Sequence, residues 1–360
     1  MSQNNQNEQM PWFSCPGPYE DVILSTRCRI SRNLADFPFP SKLSEDDLQR
    51  VNSLVYDAFN ENPHYHFIDF NNISYAGRDI LKDKNIIKDV KNFSCSAVVL
   101  DENESTTCLV NEKDHVKIAS FVSGLDCEKA MENTYKVDEF LQKKLQFAAS
   151  YDFGYLTTYL KDCGTGMKIT IRIFIPGIIM AGKFDSIIAL VQEKNLCIQP
   201  VYKMEGTTDF GCCIFDIFPG SSSRGTELDQ LAVSQSIGLL ILKTERKIRS
   251  EFADNNPTIV HNFVNQSYAK AMYSLLLSYE DVVNIISGIK WGLQLGVIEG
   301  ISEDELNALY YRTKHGHLLY LSENYPFTYE QDLKSDQEMQ IERLRTIVIQ
   351  QAFEHIQFKK

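Results

Sequence analysis

Positive charge is in short supply. The 360-residue chain carries 36 lysines and arginines against 48 aspartates and glutamates, a net charge of −12. That balance argues against general nucleic-acid binding, which needs a basic surface. It leaves room for a local basic pocket. Long apolar runs are also missing, and none approaches the roughly 20 residues of a membrane span. The nine cysteines are odd in number and scattered, apart from the adjacent Cys212 and Cys213. No two have the C-x-x-C spacing of a metal site. The opening residues, M-S-Q-N-N-Q-N-E-Q, read as a polar tail rather than a secretory signal. Reduced thiols in the cytoplasm are therefore the expectation. The remaining composition, 43% hydrophobic and 23% charged, is that of a globular protein with room for two cores.

The chain is organised around residues 22–33, V-I-L-S-T-R-C-R-I-S-R-N. The segment starts as a strand, in which alternate side chains share a face. Arg27 and Arg29 then point one way with Ser25, and Cys28 points the other. Two neighbouring guanidiniums repel unless an anion lies between them, and each offers a planar fork suited to phosphate. The spacing alone leaves two readings open: an edge strand with two solvated arginines, or a phosphate clamp.

Along the rest of the chain, helices are predicted over Leu43–Asn60 (with Ser44 as cap), Asp126–Phe147, Phe184–Glu193 and Thr226–Phe252. Strands are predicted over Tyr65–Ile73, Ser94–Asp101, Thr106–Val110, Val116–Val122, Lys168–Pro176, Leu196–Tyr202 and Cys212–Phe218. Thr226 and Asp229 are spaced as a capping box. A boundary is expected at A-D-N-N-P, 253–257, beyond which four stretches read helical: Phe263–Leu277, Tyr279–Leu295, Ser302–Lys314 and Ser335–Phe358. The pattern predicts an α+β fold: residues 1–11 as a tail, 12–254 as a sheet-and-helix domain, 255–360 as a helical domain. His115 reads as a structural histidine, Gly164 and Gly166 as a tight turn, and no metal site is expected.

Several islands carry a resemblance. S-T-R-C-R-I-S-R-N-L with F-P-F-P resembles the S-x-R-x-R-x-x-R-N segment of the ATP:guanido phosphotransferases. N-E-K-D-H, G-Y-L-T-T, G-T-G-M-K and the G-T-T-D-F-G stretch extend the likeness. Y-A-K-A-M and G-L-Q-L-G-V-I followed by I-S-E-D-E-L-N-A-L resemble the helical domain of the bacterial protein-arginine kinases within that family. The resemblance implies a glutamine-synthetase-like catalytic domain, a bent antiparallel sheet flanked by helices with ATP on its concave face, plus an all-helical C-terminal domain. It implies phosphoryl transfer from ATP to the guanidinium of an arginine-bearing protein, with Mg²⁺ held through the nucleotide phosphates. It also implies partners such as a Clp protease system and a second copy of the chain, with no nucleic acid or membrane. By the same resemblance, Ser25, Thr26, Arg27, Arg29, Lys117, Lys168 and Arg172 are ATP contacts and Glu205 is a catalytic carboxylate. Glu342 and Arg345 correspond to part of a phosphoarginine-reading motif.

The chain also departs from the family's pattern. Lys117 and Lys168 stand where the family has arginines, keeping charge but losing the two-pronged grip. Pro200 stands in the slot of a further arginine. Losing one such preorganised donor costs about 3–4 kcal/mol in a barrier. Lys113 stands in the slot of a catalytic glutamate, placing a cation where a cationic acceptor would dock. Two like charges about 4 Å apart repel by about 4 kcal/mol at an effective dielectric of about 20. Glu112 could serve instead, but on a strand it would face the opposite side from Lys113. Tyr159 stands in the slot of the family's reactive cysteine and Asn85 in that of a histidine near adenine. Arg224 is a further candidate for phosphate. The expectation is a protein-arginine-kinase-like chain with reduced or lost catalysis; the alternative is a pseudokinase that binds nucleotide or phosphoarginine as a regulatory module.

Overall fold

The structure, a computed structural model, describes residues 11–88, 93–202, 213–223 and 225–359. β1 (Ile23–Arg32) is followed by α1 (Glu45–Phe59), β2 (Tyr65–Asp69), α2 (Tyr75–Asp83), β3 (Ala97–Asp101), β4 (Thr106–Val110), β5 (Val116–Ser123) and α3 (Cys127–Gln142). A short hairpin, β6 (Ala149–Ser150) with β7 (Gly154–Tyr155), leads into β8 (Met167–Phe174), α4 (Pro176–Met180), α5 (Phe184–Glu193), β9 (Leu196–Pro200) and β10 (Ile214–Pro219). Then come α6 (Glu227–Asn255), α7 (Pro257–Tyr273), α8 (Tyr279–Gln294), β11 (Ile298–Glu299), α9 (Glu303–Arg312), α10 (His315–Asn324), α11 (Gln337–Phe353) and β12 (Gln357–Phe358). Among the described residues, no helix is long and apolar enough to cross a membrane.

Eight strands form one sheet in the order β2-β3-β4-β5-β1-β8-β10-β9, with antiparallel neighbours throughout. β1 is therefore a central strand, not an edge. Period-2 alternation sorts its side chains. Cys28 and Ile30 enter a core with Ile169, Ile171 and Ile173 of β8 and Ile237 and Ile241 of α6. A second core under the β3–β5 half takes Val51, Val55 and Phe59 from α1 and Val137 and Leu141 from α3. Helices cover this face, so Ser25, Arg27, Arg29 and Ser31 are left on the other, concave face.

α6 begins with the predicted capping box: Thr226 Oγ1 accepts from Asp229 N (3.2 Å), and Thr226 N donates to Asp229 Oδ2 (2.8 Å). It ends at Asn255, and Pro257 opens α7, where the missing N–H costs nothing. The helices beyond share a core with the sheet: Val264, Ile286, Leu309 and Phe353 pack with Leu24, Phe174 and Ile214. α2 and α10 were not foreseen from the sequence. Ala76 of α2 packs with Leu318 and Leu319 of α10 and Ile341 and Leu344 of α11. Lys314 Nζ donates to the Asp83 carbonyl and Gly316 N to Asp83 Oδ2 (2.7 Å), which completes this junction.

Candidate functional site

The sheet register places a row of cations in the middle of the concave face. Arg29 of β1 lies opposite Lys168 of β8, and Ser31 opposite Lys117 of β5. Arg27 is two residues along and faces Thr170, to whose hydroxyl its Nη2 donates weakly (3.4 Å). These residues line a cavity of about 240 Å³, closed by Asn85 and Lys88 after α2, the 112–114 turn, and Tyr159, Lys161 and Asp162. Among the described residues, seven cationic side chains line it (Arg27, Arg29, Lys88, Lys113, Lys117, Lys161, Lys168) against three carboxylates (Glu112, Asp114, Asp162).

The three carboxylates are already engaged. Glu112 pairs with Lys117. Asp162 pairs with Lys168 (2.5 Å). Asp114 Oδ1 accepts from Asn33 Nδ2 (2.8 Å) and from Thr158 N (2.8 Å). By contrast, neither Arg27 nor Arg29 has a carboxylate within ion-pair distance among the described residues, and the buried Nε of Arg27 has no hydrogen-bond partner. A buried donor without an acceptor is costly, and Arg32 Nε is orphaned in the same way. Burial, with Arg29 adding repulsion, pushes the Arg27 guanidinium down to about 10. Burial pushes the Lys117 ammonium down to about 8, with Glu112 opposing. Burial lowers Lys88 as well, with Arg27 adding to the effect. All three shifts have the sense expected of cations crowded without enough countercharge.

The signature segments hold this cavity together. Asn33 at the end of β1 joins three of them: its Nδ2 donates to Asp114 and to the Leu156 carbonyl (3.0 Å), and its Oδ1 accepts from His115 N (2.9 Å). His115 Nδ1 accepts from Leu34 N (3.0 Å), and burial pushes this imidazole down to about 4, so it is neutral and structural. Arg32 is buried against Asp138 of α3 (2.9 Å), donates to the Thr165 carbonyl (2.9 Å) and lies 3.5 Å over the ring of Tyr155. A Cβ at Gly166, which has φ +66°, would meet the Ser31 oxygen at 2.7 Å and Arg32 Nη1 at 2.8 Å. Gly166 therefore serves close approach at a tight turn.

Several expectations are corrected by position. Thr26 lies on the opposite face of β1 from the cavity: its hydroxyl donates to the Gly124 carbonyl (2.7 Å) and accepts from Asp126 N. Residues 111–115 are a turn, with Asn111 at φ +56°, rather than a strand. Glu112 and Lys113 consequently both line the cavity instead of facing opposite ways. Lys113 Nζ sits 5.7 Å from the Tyr159 ring centre, and Thr158 Oγ1 donates to the Lys113 carbonyl (2.6 Å), so two of the divergent positions are neighbours. Pro200 pairs with Phe215 on edge strand β9 and does not line the cavity. Arg172 is on the concave face beside Ser25, but both its forks go to Asp216 (2.9 and 3.0 Å). Arg345 is only 4% exposed and donates to the Thr313 and Leu277 carbonyls (2.8 Å each), fastening α11 to its neighbours rather than opening a pocket beside Glu342. Glu205 and Arg224 lie outside the described residues. Lys88, Lys161, Asp162 and Ser31 are site residues that the sequence reading missed. Only Ser31 carried a signal, since it continues the alternation of Arg27 and Arg29.

Residues 48–248 match the C-terminal catalytic domain of the ATP:guanido phosphotransferases. The chain belongs to that family. It is 26% identical over 327 residues to the protein-arginine kinase of Halothermothrix orenii, covering 90% of this chain and 93% of that one. It is likewise 26% identical over 312 residues to a Bacillus cereus protein-arginine kinase, covering 85% and 88%. Among solved structures it resembles a lombricine kinase (TM-score 0.57, 12% identity, 69% of this chain and 74% of that one). It also resembles the duplicated taurocyamine kinase of Schistosoma mansoni crystallised with transition-state-analogue components (TM-score 0.56, 16% identity, 69% and 37%). These two likenesses concern the fold.

The family uses ATP with Mg²⁺, which supply a transferable γ-phosphoryl group. The residues present fit this group in part. The cation row suits a phosphate chain. Asn85, in the slot that the resemblance places near adenine, lines the same cavity. No cluster of three metal-ligating side chains occurs among the described residues.

Proposed function

We propose that this protein is a protein-arginine-kinase-like member of its family that retains phosphate binding at β1 and transfers phosphoryl groups to arginine weakly or not at all. One observation carries the reading. Every cavity carboxylate among the described residues is committed to a partner of its own, while Lys113 occupies the acceptor side. An incoming guanidinium needs a carboxylate to hold it and to help remove its proton, help typically worth roughly 10²–10⁴-fold in rate. Among the described residues it would meet the Lys113 ammonium; Glu205, the carboxylate that the resemblance supplies, lies outside them. The phosphate side has the opposite character, because Arg27 and Arg29 await an anion. On this reading the acceptor is an arginine-bearing protein, and phosphate binding outlasts transfer.

The test is transfer of ³²P from Mg-ATP to an arginine-rich protein, read as acid-labile label, in wild type and Lys113→Glu. Wild type is expected to label at or near background and the variant to label faster. Label in wild type at a rate that Lys113→Glu does not raise would overturn the docking argument. A second reading, a regulatory phosphate-binding module with no transfer at all, is favoured by the same unpaired arginines. It predicts no label in either protein.

A further inference from the structure

A second cavity, of about 310 Å³, lies where α2 and the segment before β1 meet α9 and α10. It shares no lining residue with the β1 cavity, and neither Glu342 nor Arg345 lines it. Its size falls within the roughly 300–1,000 Å³ usual for ligand pockets. Part of the lining is apolar. Phe13 and Tyr311 stack there (4.6 Å between ring centres, 21° between planes), joined by Ile80 of α2 and the exposed Tyr320 of α10. The rest is charged. Lys84 pairs with Glu104, and Asp83 Oδ2 accepts from Gly316 N (2.7 Å). Arg312, at the exposed end of α9, and Lys314 have no carboxylate within ion-pair distance among the described residues. Lys314 is 7% exposed, and its ammonium gives one of its three N–H donors to the Asp83 carbonyl. Burial pushes that ammonium down to about 8, with Arg172 adding repulsion and Asp83 opposing. Burial lowers His317 too, with Lys84 and Arg312 adding to the effect, so its imidazole is neutral at about pH 7.

We propose that this cavity is a second ligand site, which takes a small carboxylic acid carried on an aromatic or aliphatic body. The charge count selects the head group. Among the described residues, Lys84, Arg312 and Lys314 stand against Asp83 and Glu104, a surplus of one positive charge. A carboxylate carries one negative charge and matches it, whereas the larger surplus of the β1 cavity suits phosphate. The carboxylate would accept from the remaining donors of Lys314 and from the fork of Arg312 in charge-assisted hydrogen bonds. It would thereby give a buried cation the counter-ion that burial demands. The body of the acid would lie against the Phe13–Tyr311 stack and cover Tyr320, removing apolar surface from water. Acid binding here needs nothing from the phosphate site and is independent of it.

3-Phenylpropionate and its neutral amide are matched probes that differ in the charge of the head group. Calorimetric titration of the full chain with each measures the preference. The acid is expected to bind about ten-fold more tightly than the amide. Arg312→Gln, at an exposed side chain, should remove most of that preference and leave the amide unchanged. Tyr320→Ala, also at an exposed side chain, should weaken both probes several-fold. Arg29→Ala, in the other cavity, should change neither. An acid that binds no better than its amide would overturn the proposal, as would binding that Arg29→Ala removes and Arg312→Gln spares. Benzyl phosphate binding more tightly than the acid would overturn the carboxylate assignment. A tetrapeptide ending in phenylalanine presents the same head group. Tighter binding of that peptide than of the acid would overturn the small-acid source and assign the site to a polypeptide C-terminus.

Discussion

Two ends of one concave face hold arginines in opposite circumstances. Between Ser25 and Ser31, Arg27 and Arg29 have no carboxylate within ion-pair distance among the described residues, in a cavity whose described lining has more cations than anions. Near Ser25, Arg172 is forked onto Asp216, under aromatic rings from the N-terminal segment and α9. The strands and the alternation are the same at both ends. What separates them is partnering: a paired arginine is part of the scaffold, and an unpaired one is part of a site.

The strongest way to break the comparison is to swap consequences. Arg32, one position past the site row, is the scaffold extreme: 1% exposed, paired to the equally buried Asp138, and bonded to the Thr165 carbonyl. Arg32→Ala leaves a buried carboxylate uncompensated and should cost about 3–5 kcal/mol of unfolding free energy in urea titration. Arg29→Ala, which removes a cation without a carboxylate partner among the described residues, should leave stability within about 0.5 kcal/mol. It should instead weaken triphosphate binding by about 10–100-fold, the equivalent of a charged hydrogen bond worth about 1.5–3 kcal/mol. If Arg29→Ala destabilises the fold as much as Arg32→Ala, partnering does not separate site from scaffold.

Asp216→Asn attacks the paired end. It should cost about 2–3 kcal/mol, because Arg172 loses a charged, two-pronged partner in a half-dry setting. The pair also has a pH signature. Burial alone would raise the Asp216 carboxyl, but Arg172 outweighs it and holds it below its ordinary value. A carboxyl lowered by folding contributes stability above its unfolded value, and that contribution is lost as pH falls through the folded one. Wild type should therefore lose this increment below the ordinary carboxylate range, and Asp216→Asn should melt with a shallower acid limb. Identical acid limbs would show that the pair contributes nothing.

What the sequence disclosed follows the same division. Period-2 alternation placed Arg27 and Arg29 on one face and Ile169, Ile171 and Ile173 on the other, because a strand pattern is local. The same parity put Thr26 on the core side, against its expected role. The position of Glu112 was hidden because a single left-handed residue, Asn111, turns the chain and ends the alternation. Partnering was hidden for a different reason: Asp138 lies 106 residues from Arg32, and Asp216 44 from Arg172. Contacts of that span are set by sheet order and helix docking, which spacing does not encode. The packing of Trp12, which precedes β1, against Tyr311 of α9 depends on the same long-range contacts.

The smallest expected effect lies at the open end and sharpens the contrast. Burial has lowered the Lys117 ammonium to about 8 even with Glu112 beside it. In the free protein this cation is therefore lost as pH rises through about 8. Triphosphate affinity should fall by a few-fold between about pH 7 and 9, because one of the site's charges is titrated away. Lys117→Met should bind more weakly at neutral pH and show a flatter profile over the same interval. A wild-type profile as flat as that of Lys117→Met would mean that Lys117 is occupied wholly by Glu112 and belongs with the paired residues. In that case the site would narrow to the two arginines of β1 and the lysines around its rim.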